Sequence, residues 1–255
     1  MNKTAIKKFA VNARKELKER VARKAFEYGV TEKEIINEDS NNLNGKLLSS
    51  EEINQRKQLI KKVKEFGFDH VIEEVSYTWF NRFIALRYME VNNYLPFKTR
   101  VFTDENNEFK PAILREALQL DIEGLDKQKI YKFIESKDDE ELYKYLLISI
   151  CNDMGNYLPS MFTKISDYKV LLMPDNLLAK DSILAQLIDN DTIEEDAWKK
   201  NIEIIGWFYQ YYISEKHNEV VNIMKGTVKK EDIPAATQLW TTDWVVRYMV
   251  DNSLG

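Results

Sequence analysis

Val75-Ser-Tyr-Thr-Trp-Phe-Asn-Arg-Phe-Ile-Ala-Leu-Arg-Tyr-Met89 is apolar on nearly every side when wound at helical pitch. A helix of that kind has no broad face to offer water. It belongs in the middle of a bundle, with other helices around it. Asp69 stands where an N-cap is wanted, which predicts a helix over 70–91. Pro96 ends the segment. Arg82 and Arg87 interrupt the apolar run, and on such a helix they are expected to be buried and paired.

Toward the N-terminus, Ile6, Ala10, Ala13, Leu17, Val21 and Ala25 recur at three- and four-residue steps, so residues 4–28 read as a helix with one apolar stripe. Gly29 is a natural stop for it. Residues 37–49 are polar and rich in Asn, the clearest linker in the chain. Ser49 with Glu52 has capping-box spacing, and a second helix starts there and runs to about Phe66.

Toward the C-terminus, residues 98–110 are irregular, with Asp104-Glu-Asn-Asn-Glu108 as a turn and small strands conceivable over 98–103. Short helices are expected around 111–120, 126–135 and 139–152. Gly155, Pro159 and Pro174 break the stretch 155–175. Helices resume over 181–189 and 195–215, the latter crowded with Trp198, Trp207, Phe208, Tyr209, Tyr211 and Tyr212. Residues 225–234 read as a linker, and a last helix starts at Thr242 or Asp243. No repeat of fixed period appears. The fold class is therefore all-α: a multi-helix bundle with long loops and at most minor β structure. Its parts are a basic N-terminal helix (1–36), a linker (37–49), the bundle (50–224), and a second linker with the start of another domain (225–255).

Composition agrees. Only 8 glycines and 5 prolines in 255 residues leave few turn formers for a many-stranded sheet. The one cysteine, Cys151, excludes an internal disulfide and a Cys-rich zinc site. No apolar run reaches the roughly 18–20 residues of a membrane span, and a charged amphipathic stretch follows Met1 where a signal core would be apolar. A soluble, cytoplasmic protein is expected.

The net charge of −5 does not mark a nucleic-acid binder, but it hides an asymmetry. Residues 1–24 carry nine basic side chains against two acids, Glu16 and Glu19. Lys8, Lys15 and Lys18 lie opposite the apolar stripe. Such a face can track phosphates, and Lys7, Lys8, Lys15 and Lys18 are the candidate contacts with double-stranded DNA. A plain solvated helix face is the competing reading. His70 and His217 lie far apart with no H-E-x-x-H pattern, so no metal site is expected. Asp138-Asp-Glu-Glu141 and Glu194-Glu-Asp196 are charge runs at helix starts, where acids favour the helix dipole. Trp207 and Tyr211 read as core, while Gln210 and Tyr212 fit either a core or a base-stacking role. No G-x-G-x-x-G, G-x-x-x-x-G-K-[ST] or G-x-S-x-G is present. No P-D…[DE]-x-K nuclease pattern is seen either. No catalytic residue is assigned.

Two blocks alter the weighing. Ser76-Tyr-Thr-Trp-Phe-Asn-Arg-Phe-Ile-Ala-Leu-Arg-Tyr-Met-Glu-Val-Asn-Asn-Tyr-Leu-Pro96 is one; Glu203–Lys216, continuing through Asp232–Gly255, is the other. Together they resemble the N-terminal region of the PglX family of adenine-specific DNA methyltransferases of BREX phage-defence systems. Thr237-Gln-Leu-Trp-Thr-Thr-Asp-Trp-Val-Val-Arg-Tyr-Met-Val250 is similar to the family motif that precedes the S-adenosylmethionine loop, with Thr241-Thr242 where Thr-Pro is usual. By that resemblance Thr241, with Gln238 and Trp240, contacts the cofactor. The glycine-rich loop and the [ND]-P-P-[YF] motif are expected after residue 255.

The resemblance implies a helical region that positions DNA and partner domains without catalytic motifs of its own. Its implied partners are double-stranded DNA, a methyltransferase domain C-terminal to it, and other defence-system proteins. S-adenosylmethionine is the cofactor of the parent family, and this chain alone is not expected to bind it or transfer methyl groups. The alternative is a stand-alone helical interaction protein of a defence system.

Overall fold

The computed structural model describes residues 2–254 apart from 44, 200, 219, 222–232 and 238–240, and apart from the side chain at 234. Its elements in chain order are α1 (Lys3–Glu27), β1 (Asn42–Leu43), β2 (Lys46–Leu47), α2 (Ser50–Phe66), α3 (Phe68–Val91) and α4 (Ala112–Arg115). Then come α5 (Lys127–Ser136), α6 (Asp139–Met154), α7 (Tyr168–Leu171) and α8 (Ile183–Ile188). A 3₁₀ turn (Glu195–Ala197), α9 (Glu203–Tyr212), α10 (Ser214–Asn218), α11 (Ile233–Thr237) and α12 (Asp243–Ser253) complete the order. The protein is mostly helical, and β1 and β2 form a two-stranded antiparallel ribbon with Asn42 opposite Leu47.

The central helix is α3. Val75, Trp79, Phe80, Phe83 and Leu86 are fully buried along it, and α1 and α9 are among the helices packed around it. All six stripe residues of α1 are buried. Aromatic rings lock the three helices together. Phe80 lies 4.4 Å from Tyr212 and 6.2 Å from Phe208 between ring centroids, and Phe9 meets Phe208 edge-on at 5.8 Å. Such pairs add attraction beyond the area they bury.

Helix boundaries follow local chemistry. Asn2 caps α1 by accepting from the Ala5 amide at 3.1 Å. Gly29 turns the chain out of it at φ +68, where a Cβ would stand 2.9 Å from that of Ile36. Ser49 and Glu52 form both halves of the expected capping box. Asp69 does not cap α3: Gly67 occupies the cap position, and Asp69 sits inside the first turn. The expected helix over 195–215 is broken into the 3₁₀ turn, α9 and α10. Asn92 donates to the carbonyl of buried Trp198 at 2.9 Å, which fixes the chain in the first break. Of the expected linker 225–234, residues 225–232 lie outside the described residues, and α11 begins at Ile233. Thr242 is the N-cap of α12, but its side chain makes no cap hydrogen bond.

Two loops are ordered by buried charge. The stretch 98–103, where strands were conceivable, is irregular. Glu90 gathers it: the carboxylate accepts from the amides of Val101 and Phe102, the latter at 2.7 Å, from Thr103 Oγ1 at 3.1 Å, and from Arg87 at 2.7 Å. The chain leading into the β ribbon is fixed by buried Arg56 on α2, which donates to the carbonyls of Tyr28, Ile36, Asn37 and Glu38 at 2.6–3.1 Å. Arg82 is buried as expected, yet its bonded partner is a carbonyl, that of Thr163 at 2.5 Å.

Replacing Glu90 with Gln leaves Arg87 buried beside a neutral group and weakens two amide contacts. We expect a loss of about 3–5 kcal/mol in urea unfolding, the size found when one partner of a buried pair is removed. A loss under about 1 kcal/mol would show that the Glu90 network does not hold the 98–103 loop.

Candidate functional site

The polar side of α1 divides into two chemically different groups. Lys7 and Lys8, in the second turn, are exposed and have no carboxylate within ion-pair distance among the described residues. Farther along, Arg14, Lys15, Lys18, Arg20 and Lys24 meet acids. Arg14 grips Glu73 of α3 bidentately, Nε and Nη2 each 2.8 Å from a carboxylate oxygen, and its Nη1 reaches Glu215 of α10 at 3.1 Å. Lys18 stands 3.0 Å from Glu73, and Lys15 3.4 Å from Glu215. Lys18 therefore sits on the flank of α1 that faces α3, while Lys15 keeps 62% of its side chain exposed. Arg20 bonds Glu16 and the Asp175 carbonyl, and Lys24 pairs with Glu27 and Asp175. Among the described residues, the exposed cations of α1 without an ion pair therefore include Lys7 and Lys8 near its N-terminal end and Arg23 near its C-terminal end.

The burial of Glu73 acts to raise its pKa, but Arg14 and Lys18 outweigh it and hold the carboxyl below its ordinary value of 4.5. The Arg14 guanidinium is desolvated too, yet Glu73 and Glu215 keep it firmly charged. Neither Glu73 nor Glu215 was singled out from the sequence. One signal was present: Arg14 falls between Ala10 and Leu17 on the apolar stripe, a place where a charge needs a partner.

The other end of the chain places Thr241 on the surface, just before α12. Gln238 and Trp240 lie outside the described residues. Helix α12 buries none of its side chains: Trp244, Tyr248 and Met249 are 71%, 65% and 61% exposed. It is held to the bundle by the Asp243 amide, which donates to Glu203 at 2.5 Å.

The remaining sequence candidates have structural places. His70 stacks on Phe66, and His217 Nδ1 lies 2.8 Å from the Ala235 carbonyl. Asp138 caps α6, and Glu140 accepts from the amides of Leu177 and Leu178. Trp207 is buried with Lys3 over its ring at 3.8 Å, Tyr211 is half-buried against it, and Tyr212 is core. Among the described residues no three His, Cys, Asp or Glu side chains are grouped to hold a metal ion. No helix there is long and apolar enough to cross a membrane.

The depressed Glu73 carboxyl fixes a sign. Its contribution to stability is complete above the ordinary carboxylate range and drains away as pH falls below about 4.5, because the unfolded chain takes up the proton first. Glu73→Gln should cost about 2 kcal/mol at pH 7 and flatten the acid limb of stability between pH 5 and 3, read by guanidinium unfolding at each pH. An acid limb as steep as that of the parent would remove Glu73 from the set of stabilising carboxylates.

No protein-family model matches the chain. Along its whole length it is similar to two adenine-specific methyltransferases. Over an alignment covering all of this chain it is 37% identical to "Adenine-specific methyltransferase BrxX" of Escherichia coli O9:H4 (strain HS), and 35% identical to "Adenine-specific methyltransferase PglX" of Lacticaseibacillus casei (strain Zhang). The chain spans 22% and 23% of the length of these relatives.

Proposed function

We propose, taking as premise that this chain is homologous along its full length to a segment of the adenine-specific methyltransferases, that it works as the helical N-terminal region of a DNA adenine-N6 methyltransferase of a phage-defence system. Its work is to position duplex DNA and neighbouring domains. The observation that carries the DNA part is the pair of exposed cations Lys7 and Lys8, on one helix and without a carboxylate partner among the described residues. Lysines on a fixed scaffold set the register of a phosphate backbone without reading sequence. Lys15 and Lys18 extend the same helix in the direction of its axis.

The domain-positioning part is supported by α12. A helix with Trp244, Tyr248 and Met249 in water exposes apolar surface that a folded partner domain would cover. In this reading the partner is a methyltransferase domain C-terminal to this segment, with other defence proteins as further partners. S-adenosylmethionine is the methyl donor of such enzymes. Thr241 offers one exposed hydroxyl to the donor's methionine end, and Gln238 and Trp240 are its proposed neighbours. One hydroxyl is not a cradle for a charged cofactor. The main grip on the donor, and the chemistry on a flipped adenine, therefore fall to other parts of the enzyme.

A second reading, a stand-alone helical interaction protein, draws on the same exposed α12 and needs no DNA. Binding separates the two. The purified 255-residue chain should bind a random-sequence duplex, with log K falling as log salt rises. Neutralising both Lys7 and Lys8 to Gln should reduce that slope by about 1.8, near 0.9 per phosphate contact. A slope unchanged by both substitutions would remove α1 as the DNA face. Methyl transfer to adenine by this chain alone would overturn its assignment as an accessory region.

A further inference from the structure

We propose that Glu215 and Glu73 are internal stand-ins for phosphate on α1: they hold Lys15 and Lys18 in place until a duplex DNA backbone displaces them. The inference rests on the DNA-facing reading of α1 and adds to it a regulation of that face.

The charge network is built in two layers. Its inner layer is the Arg14–Glu73 pair, both carboxylate oxygens of Glu73 engaged at 2.8 Å, with a third Arg14 donor on Glu215 at 3.1 Å. The outer layer is Lys15 on Glu215 and Lys18 on Glu73, at 3.4 and 3.0 Å. If both lysines swing away, Glu73 keeps its two bonds from Arg14, and Glu215 keeps one. No buried charge is orphaned, so release carries no large desolvation penalty. If Arg14 left instead, a charge only 7% exposed would lose its counter-ions.

The two lysines differ in how readily they release. Lys15 is 62% exposed and its partner 34%, so water and salt already screen the pair. Lys18 and Glu73 are 34% and 20% exposed, a tighter hold. Each ammonium sits on a flexible four-carbon stem and can rotate to a new anion without backbone movement. From Lys8 to Lys18 the helix rises about 15 Å, a length over which one duplex strand presents about four phosphates. The face is thus graded: Lys7 and Lys8 are ready, Lys15 is lightly held, and Lys18 is held more firmly. Glu215 sits on α10, so the DNA contact is coupled to the position of a helix that lies far along the chain.

The test is a charge cycle on the full 255-residue chain, read by fluorescence anisotropy with a random-sequence duplex at several salt concentrations. Glu215→Gln should tighten binding about two- to five-fold at low salt, the size of an exposed ion pair. The gain should vanish when Lys15→Gln is added, because a freed Lys15 is its cause. Neutralising Glu135, an exposed acid on α5, should leave affinity unchanged and controls for net charge. Circular-dichroism melts should show Glu215→Gln folded, since Arg14 retains Glu73. A Glu215→Gln gain that survives in the Lys15→Gln background, or no gain at all, overturns the proposal. If Lys7→Gln with Lys8→Gln weakens binding while Glu215→Gln does nothing, the DNA face stands and only the regulation falls. If the Lys7 and Lys8 substitutions have no effect on binding, the DNA face falls and this inference with it.

Discussion

The bidentate contact between Arg14 and Glu73 joins the two longest helices of the bundle, and much of the remaining arrangement depends on it. A guanidinium held on the apolar side of α1 would be ruinous if unpaired. Planar fork-to-carboxylate geometry fixes the angle at which Glu73 meets it, and Glu215 takes the remaining Nη1 donor. The pair therefore sets how α1 is rotated and how far it is shifted along α3. The aromatic contacts among Phe9, Phe80, Phe208 and Tyr212 then fill the space that this register leaves. Apolar packing supplies most of the stabilisation, and it tolerates small slides. The charged pair does not.

The same device recurs in the loops. Arg56 draws four carbonyls from 28–38 onto α2, and Glu90 draws 101–103 onto the end of α3. In each case an ion is buried only because backbone dipoles or an opposite charge replace its water. Long segments without secondary structure are thus fixed by single side chains on helices. This gives a largely helical protein well-defined irregular surfaces on which recognition can be built.

The functional reading follows from the two faces of α1. One face is consumed by the core. The other is sorted by acids, those in its middle coming from distant elements; among the described residues this leaves Lys7 and Lys8 without an ion pair and holds Lys15 and Lys18 in pairs. At the far end of the chain, α12 shows aromatic side chains to water, and exposed Thr241 lies just before it. The chain is similar to adenine-specific methyltransferases over about a fifth of their length, and under the proposed function both features would be contact surfaces of one larger enzyme.

The sequence by itself determined whatever depends on neighbours within a turn or two of helix. It set the apolar stripe of α1, the Ser49–Glu52 capping box, the span of α2 and the all-round burial of α3, because helical periodicity and caps link residues three or four apart. It also carried the family resemblance, through the blocks that begin at Ser76 and Glu203. It could not show that Arg14 meets Glu73 and Glu215, 59 and 201 positions away, because ion pairing at that range depends on which backbones are brought together. For the same reason it did not distinguish Lys7 and Lys8 from Lys15 and Lys18, all of them basic residues on one helix. Nor could it foresee that 195–215 would break where Asn92 reaches Trp198, or that Arg56 would hold the carbonyls of 36–38. Local pattern decided where the helices are; only tertiary contact decided which charges remain available to a partner, since a charge is free or spent according to what folds against it.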